Sequence, residues 1–578
     1  MHVFASRVSL PVLFIAVLTL AAGLLMGGAG ISTATEESRS ADAIFPSPQT
    51  AEGRQIAVSD DGKTIAYFWV YSNGSNLIAR TRYSTDGGKK WTNKNLSNSN
   101  KQASQLEVAV SGDGKTLAYV WVSSTDPDAD SAAKSAYSTD SGKTWTMRDL
   151  SSDSEGGLGP QIALTENGKN MYFMYDAGTD LRRDGIGGYV FGASNVNLWT
   201  SSDGGNTWSE SEIAPKEDNA RSGSVNVSSD NRTIVYTWFS GKEMKFPMKY
   251  TTDFGANWTT TDLIPGNDSV YSREVTVSAN GETIAAVYSE KAYSTGGLFN
   301  VFSYYTTDAG NQWNRDFVKG GREGDGAGNG RVAVSNDGQT LINVWEAEQG
   351  KTIGSRYSSD GGVSWTLYNP AGGDKAKSPE VTMSGDGKTW WYAWEKPGNK
   401  AKYFSRNTKN GGGSWSKAKK ISQPTKAVES LDVQVSNNAN YIGYAWAWNP
   451  VTANRAVQTY YSTKGGGSWK TVNLSGSSAV KKLKVRKTSG VKTQVQWKKP
   501  AQVDSNGVKK YEVRYKAVSA DGWKSWKSAK PKKLKIGDQK YAKNVGKLKV
   551  GKKYQVQVRT KNSVSPGKVA GLKIKAKK

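Results

Sequence analysis

The side chains available for chemistry in this 578-residue chain are few in kind. There is no Cys, and the one His is His2, inside a leader-like segment. Ser-His-Asp and Cys-His nucleophiles, the usual zinc ligand sets and His- or Cys-ligated haem are therefore excluded from the rest of the chain. Any catalysis must use carboxylates, Tyr, Lys, Ser/Thr or a hard cation. Arg54, Arg273 and Arg331 each stand just before a short apolar segment, as do Glu380 and Asp432 in two later copies of it. Asp176, Glu346 and Glu395 each follow the last aromatic of a longer apolar run. The stretch Ala177 to Leu198 adds Asp180, Arg182, Arg183, Asp184 and Tyr189. Brought together, such arginines grip a carboxylate or phosphate, while the carboxylates and Tyr189 do acid–base or nucleophilic work. Held apart, the same residues pair with each other and with exposed backbone. Asp126-Pro-Asp128-Ala-Asp130 spaces three carboxylates like the start of a calcium loop. Ser131 stands where that loop needs Gly, and Tyr137 where it needs Glu, so a solvated acidic loop is preferred to calcium. No other cofactor is expected.

The elements that position these residues repeat. Eight tryptophans (Trp91, Trp145, Trp208, Trp258, Trp313, Trp365, Trp415, Trp469) are spaced by 54, 63, 50, 55, 52, 50 and 54 residues. Three residues before each lies a Gly, and seven before each lies Ser or Thr. Five before lies Asp in six copies, replaced by Asn410 and Lys464 in the last two. The Ser and Asp side chains can accept hydrogen bonds from the turn's own amides, the Gly permits a positive φ, and the Trp ring can fold beneath the hairpin. A second segment precedes each copy, as in Ile56-Ala-Val-Ser-Asp-Asp-Gly-Lys-Thr-Ile-Ala-Tyr-Phe-Trp69. It reads as a short strand, a tight Asp/Asn-Gly-type turn and a longer apolar strand. With two strands flanking each Trp turn, this predicts eight four-stranded units over residues 52–476, a β-propeller. Both kinds of turn fall on one face. The variable loops, and the candidate arginines and carboxylates, fall on the other. The aromatic ending each second strand (Trp69, Trp121, Tyr175, Trp238, Tyr288, Trp345, Trp394, Trp446) is expected to pack between blades.

The turn Ser84-Thr-Asp86-Gly-Gly88-Lys-Lys-Trp91 resembles the Asp box of bacterial sialidases and related propellers. The resemblance implies an all-β propeller whose boxes hold the blades and lie away from the working face. Sialidases combine an arginine cluster, a Tyr paired with Glu, and an Asp acid. This chain departs from that pattern. The Arg-Ile-Pro signature is absent from Ile44-Phe-Pro-Ser-Pro-Gln-Thr-Ala-Glu-Gly-Arg54, and eight units replace the six of classical sialidases. Arg54 is the one positional remnant, and no catalytic roles carry over. The tail resembles a fibronectin type III module, a small β-sandwich. The matching residues are Trp497 with Pro500, Tyr511-Glu-Val-Arg-Tyr515, Leu548 with Gly551 and Tyr554, Val556-Gln-Val-Arg559 and Asn562. Trp523 and Trp526 fit its core less obviously.

Charge divides the chain. Residues 478–578 hold 31 Lys and Arg against 4 Asp and Glu, a net of +27, while the other 477 residues hold 46 against 47. Only Arg486, Arg514 and Arg559 of the 31 are arginine. Lys is a point charge without the fork that reads phosphate or carboxylate geometry, so diffuse attraction to anionic wall polymers is expected and specific nucleic-acid readout is not. Arg7, the uncharged run Val8 to Ile31 and Ser32-Thr-Ala34 read as a cleaved export signal; uncleaved, the run could anchor the chain in a membrane. The expected organisation is a signal peptide (1–34), a lead-in without structure (35–51), the propeller (52–476) and the basic module (477–578). The expected role is a secreted, non-catalytic binder of an extracellular glycan or protein, retained at the cell surface by its Lys-rich module. The alternative is a glycoside hydrolase of the sialidase-like superfamily.

Overall fold

A computed structural model describes residues 54–72, 77–97, 101–125, 131–178, 182–183, 189–190, 194–243, 245–263, 269–292, 298–319, 328–347, 351–398, 402–422, 428–448, 456–473, 481–488, 492–498, 510–517, 527–529, 532–533, 540–544, 553–561 and 570–575. The expected signal peptide and lead-in, together with Asp126, Asp128, Asp130, Trp523 and Trp526, lie outside them. The described chain is all-β, with a single 3-10 turn, Lys216–Asp218, as helical structure among those residues.

Eight four-stranded antiparallel sheets succeed one another at 54–95, 102–149, 158–214, 220–262, 269–319, 328–368, 377–420 and 428–473. They are numbered here as blades 1 to 8. Each is built from the predicted hairpins. In the Asp-Gly turn of blade 1, Ser59 Oγ donates to Asp61 Oδ1 (2.8 Å) and accepts from Thr64 N (3.0 Å). In the Trp turn, Ser84 Oγ accepts from Gly88 N (2.9 Å), Asp86 Oδ1 from Lys90 N (2.8 Å), and Trp91 Nε1 donates to Gly88 O (3.0 Å). The turn glycine has a positive φ in all eight copies, from 76° at Gly88 to 89° at Gly255.

The Asp-Gly-type turns join the blades. Asp60 N donates to Gly112 O, Asp113 N to Glu166 O, Glu166 N to Ser229 O and Ser229 N to Ala279 O. Asn280 N donates to Asn336 O, Asn336 N to Gly385 O, Gly385 N to Asn437 O, and Asn438 N back to Asp60 O. These eight bonds, 2.9–3.2 Å long, close the ring. Each Trp turn is tied in turn to the Asp-Gly-type turn of its own blade, as by Gly87 N to Lys63 O (2.9 Å). Both families of turn therefore share one rim. Between blades the second strands are covered on both faces, so Leu117–Ser124 is buried at every position. The eight strand-ending aromatics from Trp69 to Trp446 are all buried.

The first strands lie side by side around the axis, and their inner edges carry N–H groups with no strand to pair with. Side chains of the preceding blade supply acceptors. Gln55 Oε1 accepts Val108 N (2.9 Å), Glu274 Oε2 accepts Val332 N (2.9 Å) and Asp432 Oδ2 accepts Ile56 N (2.7 Å). Glu107 accepts Ile162 N, and its Oε2 is enclosed with no hydrogen-bond partner among the described residues. Burial pushes Glu107 up to about 8, against that N–H. Burial pushes Glu274 up to about 7 against the opposing charge of Arg331, and Asp432 up to about 7 against the Ile56 N–H.

The basic module has two further four-stranded sheets. One orders Lys481–Thr488, Lys492–Lys498, Lys540–Asn544 and Lys532–Lys533; the other orders Lys527–Ala529, Lys510–Ala517, Lys553–Lys561 and Ala570–Lys575. Val495, Tyr511, Val513, Tyr554, Val556 and Val558 are buried within it.

The inner ring makes stability depend on pH. A carboxyl whose pKa is raised by folding binds its proton more tightly in the folded chain. Its contribution is full below the unfolded pKa of about 4.3 and is lost as pH rises through 7 to 8. The Trp-turn aspartates Asp140, Asp203, Asp253 and Asp360 are held down at about 2 by turn hydrogen bonds and titrate below this window. Tm is expected to fall between pH 5 and pH 8.5. Glu107→Gln, which copies Gln55 and Gln161 at the same register, is expected to raise Tm at pH 8 by about 2 °C or more and to flatten the fall. Thermal melts at the two pH values check this; equal wild-type Tm values would contradict it.

Candidate functional site

The candidate residues on the face opposite the turn rim are distributed among several neighbours. Arg273 opens the regular part of the first strand of blade 5. Its guanidinium donates to Ser222 O of blade 4 and lies 4.6 Å from the Phe246 ring centroid. Asp176 lies two residues before the end of the second strand of blade 3, Met171–Gly178, and is buried. Its Oδ2 accepts Ser222 N (2.7 Å) and its Oδ1 accepts Gly223 N (3.0 Å). Burial raises Asp176 to about 6 against these two bonds and the charges of Arg273 and Arg221. Burial likewise lowers Arg273 to about 10, against the charge of Asp176. The cluster is thus an internal acid between two arginines, across three blades.

The local cause is a bulge. The first strand of blade 4 slips register between Arg221 and Ser224, and Ser222 has φ 54°. Comparable slips occur at Gln105 (φ 46°), Asn329 (φ 49°) and Ser378 (φ 49°). A bulge frees backbone N–H groups, and a side chain of the preceding blade takes them up. Asp176 serves Ser222 and Gly223; Glu346 Oε1 accepts Ser378 N (2.5 Å). Glu395 instead pairs with Lys377 of its own blade (3.2 Å), and burial raises its pKa against that ammonium.

Arg331 stands one register position later than Arg54 and Arg273, among the inner-ring residues. It pairs with Glu380 of blade 7 (3.2 Å), whose charge holds the guanidinium firmly protonated. Arg273 and Arg331 therefore turn to different partners. The backbone alone is described for the remaining candidates. Arg54 pairs with Trp69, and Arg182 and Arg183 form a two-residue hairpin with Tyr189–Val190, Arg183 opposite Tyr189. Among the described residues no group of three or more His, Cys, Asp or Glu is placed to hold a metal.

Sequence reasoning missed Arg221, Ser222 and Gly223, which complete the Asp176 cluster. The available signal was Arg221-Ser-Gly223 ahead of the repeated Val225, but the bulge that brings it to Asp176 depends on register. Glu107 and Glu274 were also missed. Both directly precede the repeated Val, as do Glu380 and Asp432.

The basic module offers a different surface. Strand register puts Arg514, Lys516 and Lys553 on one face of the second sheet. The acid on that face, Glu512, is buried and paired with Arg559 (2.7 Å). Its charge is cancelled internally, so Arg514, Lys516 and Lys553 leave the described part of this face net positive.

Residues 478–570 match the family model of the fibronectin type III domain, and this stretch is such a domain. No curated protein matches the chain. Solved structures to which it is similar include a protein of unknown function from Dyadobacter fermentans, at 14% identity over 65% of this chain and 94% of that one (TM-score 0.36). Another is the β-propeller domain of the trilobed protease from Pyrococcus furiosus, at 12% identity over 64% and 97% (TM-score 0.38). A third is prolyl oligopeptidase B from Galerina marginata, at 11% identity over 76% of this chain and 58% of that one (TM-score 0.41).

Removing Asp176 strips the acceptor from two bulge amides and the counter-charge from half-buried Arg273. Asp176→Ala is expected to destabilise the propeller by about 3–5 kcal/mol. Denaturant unfolding measures it, and a loss below about 1 kcal/mol would contradict the internal role.

Proposed function

We propose that this protein is a non-catalytic binding protein of the cell exterior. Its propeller recognises an extracellular glycan or protein, and its fibronectin type III domain holds it near anionic cell-wall polymers. The observation that carries the reading is the use made of the carboxylates. A glycosidase needs two carboxyl groups facing the substrate, about 5 to 9.5 Å apart. Here Asp176 and Glu346 serve backbone amides of the next blade, Glu395 serves Lys377 and Glu380 serves Arg331. The leader-like segment from Arg7 to Ala34 supports export. The +27 charge of residues 478–578, nearly all of it lysine, supports weakly selective attraction to polyanions and not base readout. That excess also exceeds the net charge of about 2 to 8 that keeps a small domain soluble.

Two measurements test this reading. Sialosides and neutral aryl glycosides are expected to stay intact in the presence of the mature protein. Turnover that is lost in Glu346→Gln or Glu395→Gln would move the protein into the sialidase-like hydrolases. On a heparin column the full chain is expected to be retained at 0.15 M salt and released well below 1 M, where the screening length shrinks to about 3 Å. A chain ending at residue 477 is expected to pass through. Equal elution of the two, or retention of the full chain beyond about 1 M, would reject the electrostatic account.

A further inference from the structure

The rim that carries the Trp turns is sealed at seven seams and open at one. In seven blades an aromatic ring of the preceding blade fills the space beside the turn glycine. Tyr83 covers Gly142, Tyr137 covers Gly205, Tyr250 covers Gly310, Tyr305 covers Gly362, Tyr357 covers Gly412 and Tyr461 covers Gly88. Each of these tyrosines stands eight residues before its own blade's Trp. Tyr83, Tyr137, Tyr250 and Tyr305 also donate to the covered glycine's carbonyl at 2.8–3.3 Å. Blade 7 has Asn407 at this position, and Trp391, paired with it across the strands, covers Gly466 instead.

Blade 3 has Thr200 there, and nothing compensates. Tyr172, the cross-strand partner of Thr200, sends its hydroxyl to Asn231 Oδ1 (2.5 Å). Beside Gly255 of blade 4 lies only that turn's own Trp258. The space left is an open cleft of about 390 Å³ between blades 3 and 4. Two further departures from the repeat meet at the same place. Trp258 is exposed (36%), whereas the other seven turn tryptophans are half-buried. Phe254 is 64% exposed and adopts φ 64°, where other blades place Gly, Ser or Ala. A bulky side chain in the left-handed region is strained, and an exposed ring gains little burial in return. A residue selected for folding alone would not be Phe.

The lining is chemically uniform. Aromatic rings (Tyr172, Trp208, Tyr236, Phe254, Trp258) alternate with hydroxyls and amides, and no charged residue contributes. Trp258 is backed by Tyr236 in a stack at 5.0 Å, which fixes its plane. Thr207 and Ser201 are committed to Asp203, but the side chains of Ser202 and Asn170 have no hydrogen-bond partner among the described residues. We infer that this seam is a carbohydrate site that takes a neutral pyranose ring. The C–H face of a sugar packs on an aromatic face, and its hydroxyls take up the amide and hydroxyl groups at the edge. The Lys249 ammonium and the Arg148 guanidinium lie against the Trp258 and Trp208 rings, 5.4 and 5.3 Å from their centroids, but neither lines the cleft, so the lining lacks the direct Arg or Lys contact that a carboxylate or phosphate would call for. A proline-rich strand rises about 3.1 Å per residue and needs a groove several residues long. A cleft confined to one seam fits a single ring better. The inference rests on the binding reading above and places the ligand on the rim opposite the loops that sequence analysis favoured.

The test uses the full chain with neutral hexasaccharides of glucose, N-acetylglucosamine, mannose and xylose, followed by calorimetry and by fluorescence of Trp208 and Trp258. At least one is expected to bind. Thr200→Tyr, which restores the residue of the sealed seams, is expected to weaken that binding about tenfold or more with Tm unchanged or raised. Phe254→Gly, which relieves the strained φ, is expected to weaken it similarly without lowering Tm. Heparin retention is expected to be unchanged in both variants. Binding that persists at wild-type strength in both variants would overturn the seam assignment while leaving a glycan-binding propeller. Failure of all four sugars would overturn the carbohydrate assignment, and binding of decaproline that Thr200→Tyr abolishes would reassign the cleft to peptide. Loss of heparin retention in the wild-type chain would instead count against the anchoring part of the proposed function alone.

Discussion

Eight backbone hydrogen bonds between successive Asp-Gly-type turns, each from an amide to a carbonyl of the next blade's turn, hold this propeller in a ring. The last, Asn438 N to Asp60 O, is of the same kind as the others, so closure needs no special device. The constraint reaches far into the sequence. Each turn must present a free N–H and C=O at one height. This explains the Ser or Thr whose oxygen satisfies the turn internally, as Ser59 and Ser111 do at Thr64 and Thr116. The Trp turns then hang from the same ring, and tyrosines of six blades and Trp391 of a seventh seal seven of the eight seams between blades.

A closed ring of sheets also leaves edges to satisfy. The inner strand of every blade faces the axis with amides that no strand can pair. The solution is to lay a carboxylate or amide of one blade across the amide of the next. That use of acidic side chains is costly in charge, because Glu107, Glu274 and Asp432 are drawn into surroundings that favour their protonated forms. The same logic recurs at the bulges, where Asp176 and Glu346 cap strained amides. Asp176 and Glu346, whose types suggest acid–base work, here hold backbone amides of the next blade.

Repetition makes departures from it informative. Where seven seams use the same ring-on-glycine contact, the eighth, with Thr200 for Tyr and Phe254 for a small residue, carries a cost that the fold does not require. The fibronectin type III domain is a departure of another sort. Its net charge of +27 sets it apart from the balanced propeller.

The fold was largely legible in the chain itself. Local turns report on themselves: Ser84, Asp86, Gly88 and Trp91 interact within eight residues, so their spacing alone specified the hairpin, and its recurrence specified the propeller. The buried aromatics from Trp69 to Trp446 were legible for the same reason, because apolar runs without alternation mark strands covered on both faces. The candidate site was legible only as a set of residue types. Whether Asp176 meets a substrate or the amides of Ser222 and Gly223, and whether Arg331 joins Arg273 or Glu380, depends on a one-residue bulge and on which blade stands next. Register and ring neighbourhood are long-range properties: they place residues some fifty positions apart within 3.2 Å of each other, and only the tertiary structure decides them. The open seam at Gly255 was decided in the same way, because Thr200 gains its meaning from the glycine it fails to cover one blade away.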